Sequence, residues 1–211
     1  MADIFDLFKK IESKATTANG KPEFIIVGLG NPGVEYERTR HNAGFLAVDR
    51  VAEKCGVQIR QGKYKALIAS ASIGGHSVLL MKPQTYMNLS GEAVKEAASF
   101  YQIPADHVIV ISDDVCQAPG RMRIRKSGSA GGQKGLANII NHLGTDAVPR
   151  IRIGVGEKPS PEYDLASWVL GKFTEDDMKL IAPRLDDTFE SIKLIMDGKL
   201  DEAMGKYNGK K

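Results

Sequence analysis

Four histidines occur in the 211-residue chain, and His41 differs from the others in its setting. It lies in a polar loop directly after the apolar run FIIVGLG (24–30), flanked by Arg40 and Asn42. An imidazole titrates near neutral pH and can take a proton from water, provided a neighbour fixes its tautomer and stabilises the imidazolium. Asp113, just after the apolar stretch HVIVIS (107–112), is expected at the same edge of a sheet and within reach of such a histidine. Its neighbour Asp114 is the rival for that duty, and an acidic pair after a strand also fits a metal site or a solvated loop. His76, His107 and His142 sit beside or within strand and helix patterns, where surface or satisfied core histidines are the ordinary outcome. No G-x-S-x-G serine elbow is present.

The segment Gly28-Leu29-Gly30-Asn31-Pro32-Gly33 satisfies G-x-G-x-x-G letter for letter. In a dinucleotide site those glycines open a helix at once, and an acidic residue follows about 20 positions on, near the second strand. Here Asn31-Pro32-Gly33 is turn chemistry and a polar loop follows, while Asp49 and Glu53 fall inside a helical pattern. The glycines are expected to let the backbone turn sharply at the carboxyl edge of the sheet, where open α/β folds place their sites. A second feature is basic: period two in RMRIRK puts Arg121, Arg123 and Arg125 on one face and Met122 and Ile124 on the other. Lys126, Ser127, Lys134 and Arg152 extend that character toward the glycine-rich GSAGGQKGL, whose backbone amides could meet phosphate. A solvated charged face would show the same pattern.

The elements that must hold these residues follow from periodicity. Residues 2 to 14 read as a short amphipathic helix through Ile4, Leu7, Phe8 and Ile11, joined by a polar linker, so that 1–22 precede one domain over 23–211. FIIVGLG is a buried central strand, and Phe45, Val48, Ala52 and Cys55 mark a helix closed by Gly56. ALIASASI and HSVLLMK are strands joined at Gly74-Gly75, a helix runs from about Ser90 to Tyr101, and HVIVIS, RMRIRK and RIRIGV (150–155) are further strands. LANIINHL is helical, and TEDD (174–177) resembles a capping box opening a long C-terminal helix. This alternation predicts a single three-layer α/β/α domain with a mixed, mostly parallel twisted sheet. A hydrophobic fraction of 42%, a charged fraction of 26% and a net charge of +3 describe an ordinary globular chain that permits a polyanionic partner without demanding one. Cys55 and Cys116 form neither a CxxC pair nor a zinc set, so a reducing cytoplasm is the expected setting. The N-terminal stretch, interrupted by Asp3, Asp6 and Glu12, does not read as a signal peptide.

GLGNPG, YERTRHNAGF, KPQTYMNLSGEAV, the acidic pair of VISDDV, and GSAGGQKGL occur in this order over residues 24 to about 190. Together they resemble the bacterial peptidyl-tRNA hydrolase family. The resemblance implies hydrolysis of the ester between a peptide and the tRNA 3′ end, by a monomer, with no metal or organic cofactor. His41 matches the family's catalytic histidine and Asp113 the carboxylate that keeps it basic and oriented. Asn31 matches the asparagine that distinguishes an N-blocked peptide from a free aminoacyl group. Asn88, with Met87 before it, matches a residue positioning water or the substrate carbonyl, and Tyr36 and Tyr86 match tRNA contacts. An activated ester needs less help than an amide, so a base and an amide-lined pocket suffice without a covalent nucleophile. The chain departs from the family where Gln133-Lys134 replace a usual His-Asn, and where Cys116 stands in place of a typical aspartate. Lys134 and Arg125 are carried forward as tRNA contacts of the basic surface. The competing reading is a non-catalytic RNA-binding relative that serves as a splicing or binding module. The retained set Asn31, His41, Asn88 and Asp113 speaks against it, because a binding module needs neither a base nor a carboxylate to orient one.

Overall fold

The computed structural model describes residues 20–209, so the helix expected over 2–14 lies outside the described residues. Seven strands form one sheet in the order β2-β3-β4-β1-β5-β7-β6. They are β1 Phe24–Gly28, β2 Gln61–Lys63, β3 Ala66–Ile73, β4 His76–Pro83, β5 Val108–Asp114, β6 Met122–Arg125 and β7 Arg150–Gly154. The central β4, β1, β5 and β7 run parallel, and antiparallel pairs close both margins. Among the described residues six α-helices flank the sheet: α1 Ala43–Cys55, α2 Ser90–Tyr101, α3 Lys134–Leu143, α4 Leu165–Leu170, α5 Glu175–Met196 and α6 Leu200–Tyr207.

Strand alternation sorts the apolar residues into two layers. Ile26, Leu80, Ile109, Ile111 and Ile151 meet α1, α5 and α6 on one face. Ile25, Val27, Leu79 and Val110 meet α2 and α3 on the other. β1 is buried on both sides, which is why it reads as an unbroken apolar run rather than an alternating one. Complete burial of Ile25, Ile26 and Val27 contributes about 1.5–3 kcal/mol for each side chain.

Several boundaries moved from their sequence positions for local reasons. β5 starts at Val108 and runs through both aspartates, because β7 continues beside them, pairing Asp113 with Ile153 and Asp114 with Gly154. α3 opens at Lys134, two residues before the apolar pattern starts, because Gln133 caps it. The long C-terminal helix ends at Met196, Gly198 turns the chain at φ 74°, and α6 follows. The capping box is present, with Thr174 accepting from the Asp177 N–H and the Asp177 carboxylate accepting from the Thr174 N–H. Gly56 ends α1 in the left-handed conformation, and Gly74 and Gly75 form the β3–β4 turn. β2 and α4 are too short to have shown a period.

The glycines of the first motif act differently from the expectation of a sharp turn. Only Gly33 has a positive φ, at 118°. Gly28 instead permits close approach: a Cβ there would lie 2.3 Å from the Gly44 carbonyl oxygen. Gly44 is the other half of that contact, since its own Cβ would lie 2.3 Å from the Ile111 oxygen and 2.4 Å from the Leu29 nitrogen. The first turn of α1 thus sits directly against the ends of β1 and β5, bringing the loop before it over the sheet edge.

Candidate active site

The loop from Asn31 to Asn42 is held by its own amides. Asn42 accepts from the Asn31 N–H at 2.8 Å and donates to the Asn31 carbonyl at 3.0 Å, closing the two ends of the loop on each other. Two short 3-10 turns, Val34–Tyr36 and Arg40–Asn42, fill the span between. Arg40 fixes the far side: its guanidinium stacks 3.7 Å from the Trp168 ring centroid and pairs with Asp177 at 3.5 Å, and its backbone N–H donates to the Gly171 carbonyl. The loop that carries His41 is therefore bolted to the end of α4.

His41 Nδ1 lies 2.9 Å from Asp113 Oδ2. The Asp113 side chain is 3% exposed and that of His41 15%. An ionised carboxylate only accepts, so this contact places the proton on Nδ1 and leaves Nε2 with its lone pair. Asp113 Oδ1 receives a second bond from Gln133 Nε2 at 3.0 Å. Asp114, the rival carboxylate, is committed elsewhere: Oδ1 accepts from Arg152 at 3.1 Å and from the Cys116 N–H at 3.0 Å, with no side-chain exposure. Neighbouring aspartates on one strand point to opposite faces, and that alternation separates their duties.

Asn31 Oδ1 accepts from the Met87 N–H at 2.9 Å, which fixes the orientation of the amide and leaves its NH₂ as the donor available to a ligand. Met87 and Asn88 lie in the 3-10 turn Met87–Leu89 before α2, with Met87 buried and Asn88 exposed. Gly91 of α2 touches Asn138 of α3, the N–H donating to its side chain at 2.7 Å, which fixes that turn against α3.

These residues converge on one cleft of about 760 Å³, lined by Asn31, His41, Tyr86, Met87, Asn88 and Asp113. Its far wall is Gly131, Gly132, Gln133, Lys134 and Arg152. Leu165, Ala166, Val169 and Leu170 of α4 make an apolar side that the sequence reading did not anticipate. Asp164, which caps α4 by accepting from the Ser167 N–H, was the available signal. Asn42 and Arg40 were noted only as flanks of His41, because their partners Asn31, Trp168 and Asp177 are set by the fold. None of the cleft-lining residues is a serine, threonine or cysteine. Among the described residues no group of three or more His, Cys, Asp or Glu side chains is arranged to hold a metal ion.

Tyr36 and Arg125 are not brought into the cleft. Tyr36 is half-buried in the first 3-10 turn, and Arg125 is exposed on the marginal strand β6. The β6–β7 register sets Arg123 opposite Arg152 and Arg125 opposite Arg150, on the face away from Met122, Ile124, Ile151 and Ile153. Arg150 is 2% exposed, and burial pushes its pKa down. It donates to the carbonyls of Val148, Gly128, Ser129 and Asp146, pinning the start of the glycine-rich loop.

Known proteins share the fold and much of the sequence. The model of the family described as peptidyl-tRNA hydrolase matches residues 25–211. The chain is 48% identical over 186 residues to the peptidyl-tRNA hydrolase of Clostridium novyi, covering 88% of this chain and 98% of that one. It is likewise 48% identical over 186 residues to that of Agathobacter rectalis, covering 88% of this chain and all of the relative. Among solved structures, peptidyl-tRNA hydrolase from Acinetobacter baumannii superposes with a TM-score of 0.84 at 36% identity, covering 92% of this chain and 98% of that one. A chain matched over nearly its whole described length by this family model and by such relatives belongs to the peptidyl-tRNA hydrolase family.

Proposed function

We propose that the chain hydrolyses the ester between the peptide and the 3′-terminal ribose of peptidyl-tRNA, with His41 as general base. The carrying observation is the His41–Asp113 pair at 2.9 Å opening on a cleft whose lining offers side-chain amides and no serine, threonine or cysteine nucleophile. His41 Nε2 takes a proton from a water, and the hydroxide forms a bond to the ester carbonyl carbon. Asp113 balances the imidazolium. As the tetrahedral intermediate collapses, the carbon–oxygen bond to the ribose breaks and the imidazolium returns its proton to the departing ribose oxygen. Such a base contributes about 10²- to 10⁴-fold.

Asn31 supports selection for an N-substituted aminoacyl group. Its free NH₂ matches a peptide carbonyl, whereas a free α-ammonium would set donor against donor. Asn88 and Met87 at the next turn, with Tyr86 61% exposed at the mouth, are read as contacts to the substrate carbonyl and the terminal nucleotide. Lys134 is the first residue of α3, where a cation opposes the helix dipole, so its presence at the cleft rim suits phosphate better than helix stability. Arg125, with Arg123 and Lys126, extends a phosphate-binding surface beyond the cleft, and Tyr36 is kept as a peripheral tRNA contact. Backbone recognition of this kind accepts many tRNAs. We read the physiological substrate as peptidyl-tRNA released or stalled during translation in the cytoplasm, with the chain acting as a monomer.

The test compares N-acetyl-aminoacyl-tRNA with its unblocked form, in wild type and His41→Ala. Turnover of the blocked form, lost in the variant, supports this reading. Salt-sensitive tRNA binding without turnover by the wild type would instead favour an RNA-binding module, and unchanged activity in His41→Ala would remove the histidine from the mechanism.

A further inference from the structure

Gln133 is 5% exposed, and both ends of its amide are committed. As the N-cap of α3, its Oε1 accepts from the Leu136 N–H at 2.8 Å. A backbone N–H can only donate, so the oxygen must face the helix and the NH₂ must face the other way. There it donates to Asp113 Oδ1 at 3.0 Å and approaches Met87 Sδ at 3.1 Å. The helix cap therefore dictates the polarity of the contact with Asp113: the side chain can stabilise the carboxylate and cannot serve the protonated acid equally.

We propose that Gln133 is a positioning residue for the hydrolysis, using α3 as an anchor to hold the Asp113 carboxylate in the orientation that meets His41. This rests on the reading of His41 and Asp113 given above. A carboxylate this buried needs donors on both oxygens, and Gln133 supplies the one that His41 does not. An amide also stays neutral across the working pH range, so it does not compete with the imidazolium for the charge of Asp113. The other titratable groups around the cleft are Tyr86, Lys134, Asp164 and Arg152, with Arg152 held by Asp114.

Three variants separate this role from capping. In Gln133→Ser the hydroxyl is a better N-cap than an amide, yet it is too short to reach Asp113. Its melting temperature should fall by only about a few degrees, because the better cap offsets part of the lost hydrogen bond to Asp113, and KM should hold, while kcat falls about 10- to 100-fold, the cost of a loosened catalytic group. Gln133→His restores a donor of suitable reach but one that titrates. Its kcat should recover toward wild type at alkaline pH, and its acid limb should steepen from a one-proton to a two-proton dependence. Wild-type kcat in Gln133→Ser, or a one-proton acid limb in Gln133→His, overturns the proposal. His41→Ala run in parallel distinguishes the failures: if it is inactive while Gln133→Ser is fully active, only the role of Gln133 falls, whereas an active His41→Ala removes the foundation.

Discussion

Asp113→Asn probes the site most sharply, because the surroundings determine how the new amide must sit. Gln133 presents an NH₂ to Oδ1 and cannot turn, since its own oxygen is held by the Leu136 N–H. An asparagine at 113 must therefore offer its oxygen to Gln133 and its NH₂ to His41. Facing a donor, His41 Nδ1 has to accept, so the ring proton moves to Nε2, and the nitrogen that should take a proton from water carries one already. The number of hydrogen bonds and the packing are preserved, so stability should change by less than about 1 kcal/mol. The whole general-base contribution is lost, so kcat should drop about 10²- to 10⁴-fold with KM little changed. Initial rates of N-acetyl-aminoacyl-tRNA hydrolysis under saturating substrate, alongside thermal melting, measure both quantities. Adding Gln133→Ser frees the asparagine to rotate its oxygen back to His41, so the double variant should lose less than the product of the single losses. A kcat within about an order of magnitude of wild type in Asp113→Asn would refute the tautomer argument and with it the assignment of the base.

Removing Arg152 as Arg152→Ala strands the fully buried Asp114 carboxylate, and calorimetry should show a loss of about 3 kcal/mol or more. Arg125→Ala touches an exposed side chain; melting should be unchanged, while KM rises and the slope of log affinity against log salt falls by roughly 1. A Cβ added in Gly44→Ala meets backbone atoms of Ile111 and Leu29 within 2.4 Å, so overpacking should cost about 3 kcal/mol or more, visible as a lowered denaturation midpoint. Burial raises the Cys55 thiol to about 11, and Cys116 is exposed, so a disulfide-exchange reagent at pH 8 should count one thiol in the native protein and both after denaturation.

Much of the site was legible because its residues lie in short, uninterrupted motifs. GLGNPG and YERTRHNAGF put Asn31 and His41 on one loop after an unmistakable buried strand; the nearness of Asp113 follows from the sheet edge those segments share, while Asn88 came from the family resemblance, and all four line one cleft. The partners of that site were not legible. Nothing in the spelling DD says that the first aspartate faces His41 while the second is taken by Arg152, since the choice follows from the β5–β7 register. Gln133 read as a departure from the family, and only the packing of α3 against the sheet edge shows it holding Asp113.

What the sequence determined by itself is whatever local physics writes along the chain. That includes the two periods, the turns at Gly56 and Gly74-Gly75, the capping box at Thr174, and the set of side chains able to do acid–base chemistry. What the tertiary structure alone decided is which polar atom faces which. The oxygen of Asn31 accepts from Met87, and the amide of Gln133 donates to Asp113. The glycines at 28 and 44 serve a helix–strand contact more than a turn. Hydrogen-bond polarity and close approach depend on pairs of residues 11 to 72 positions apart, and such pairings exist only once the sheet register and helix docking have been fixed.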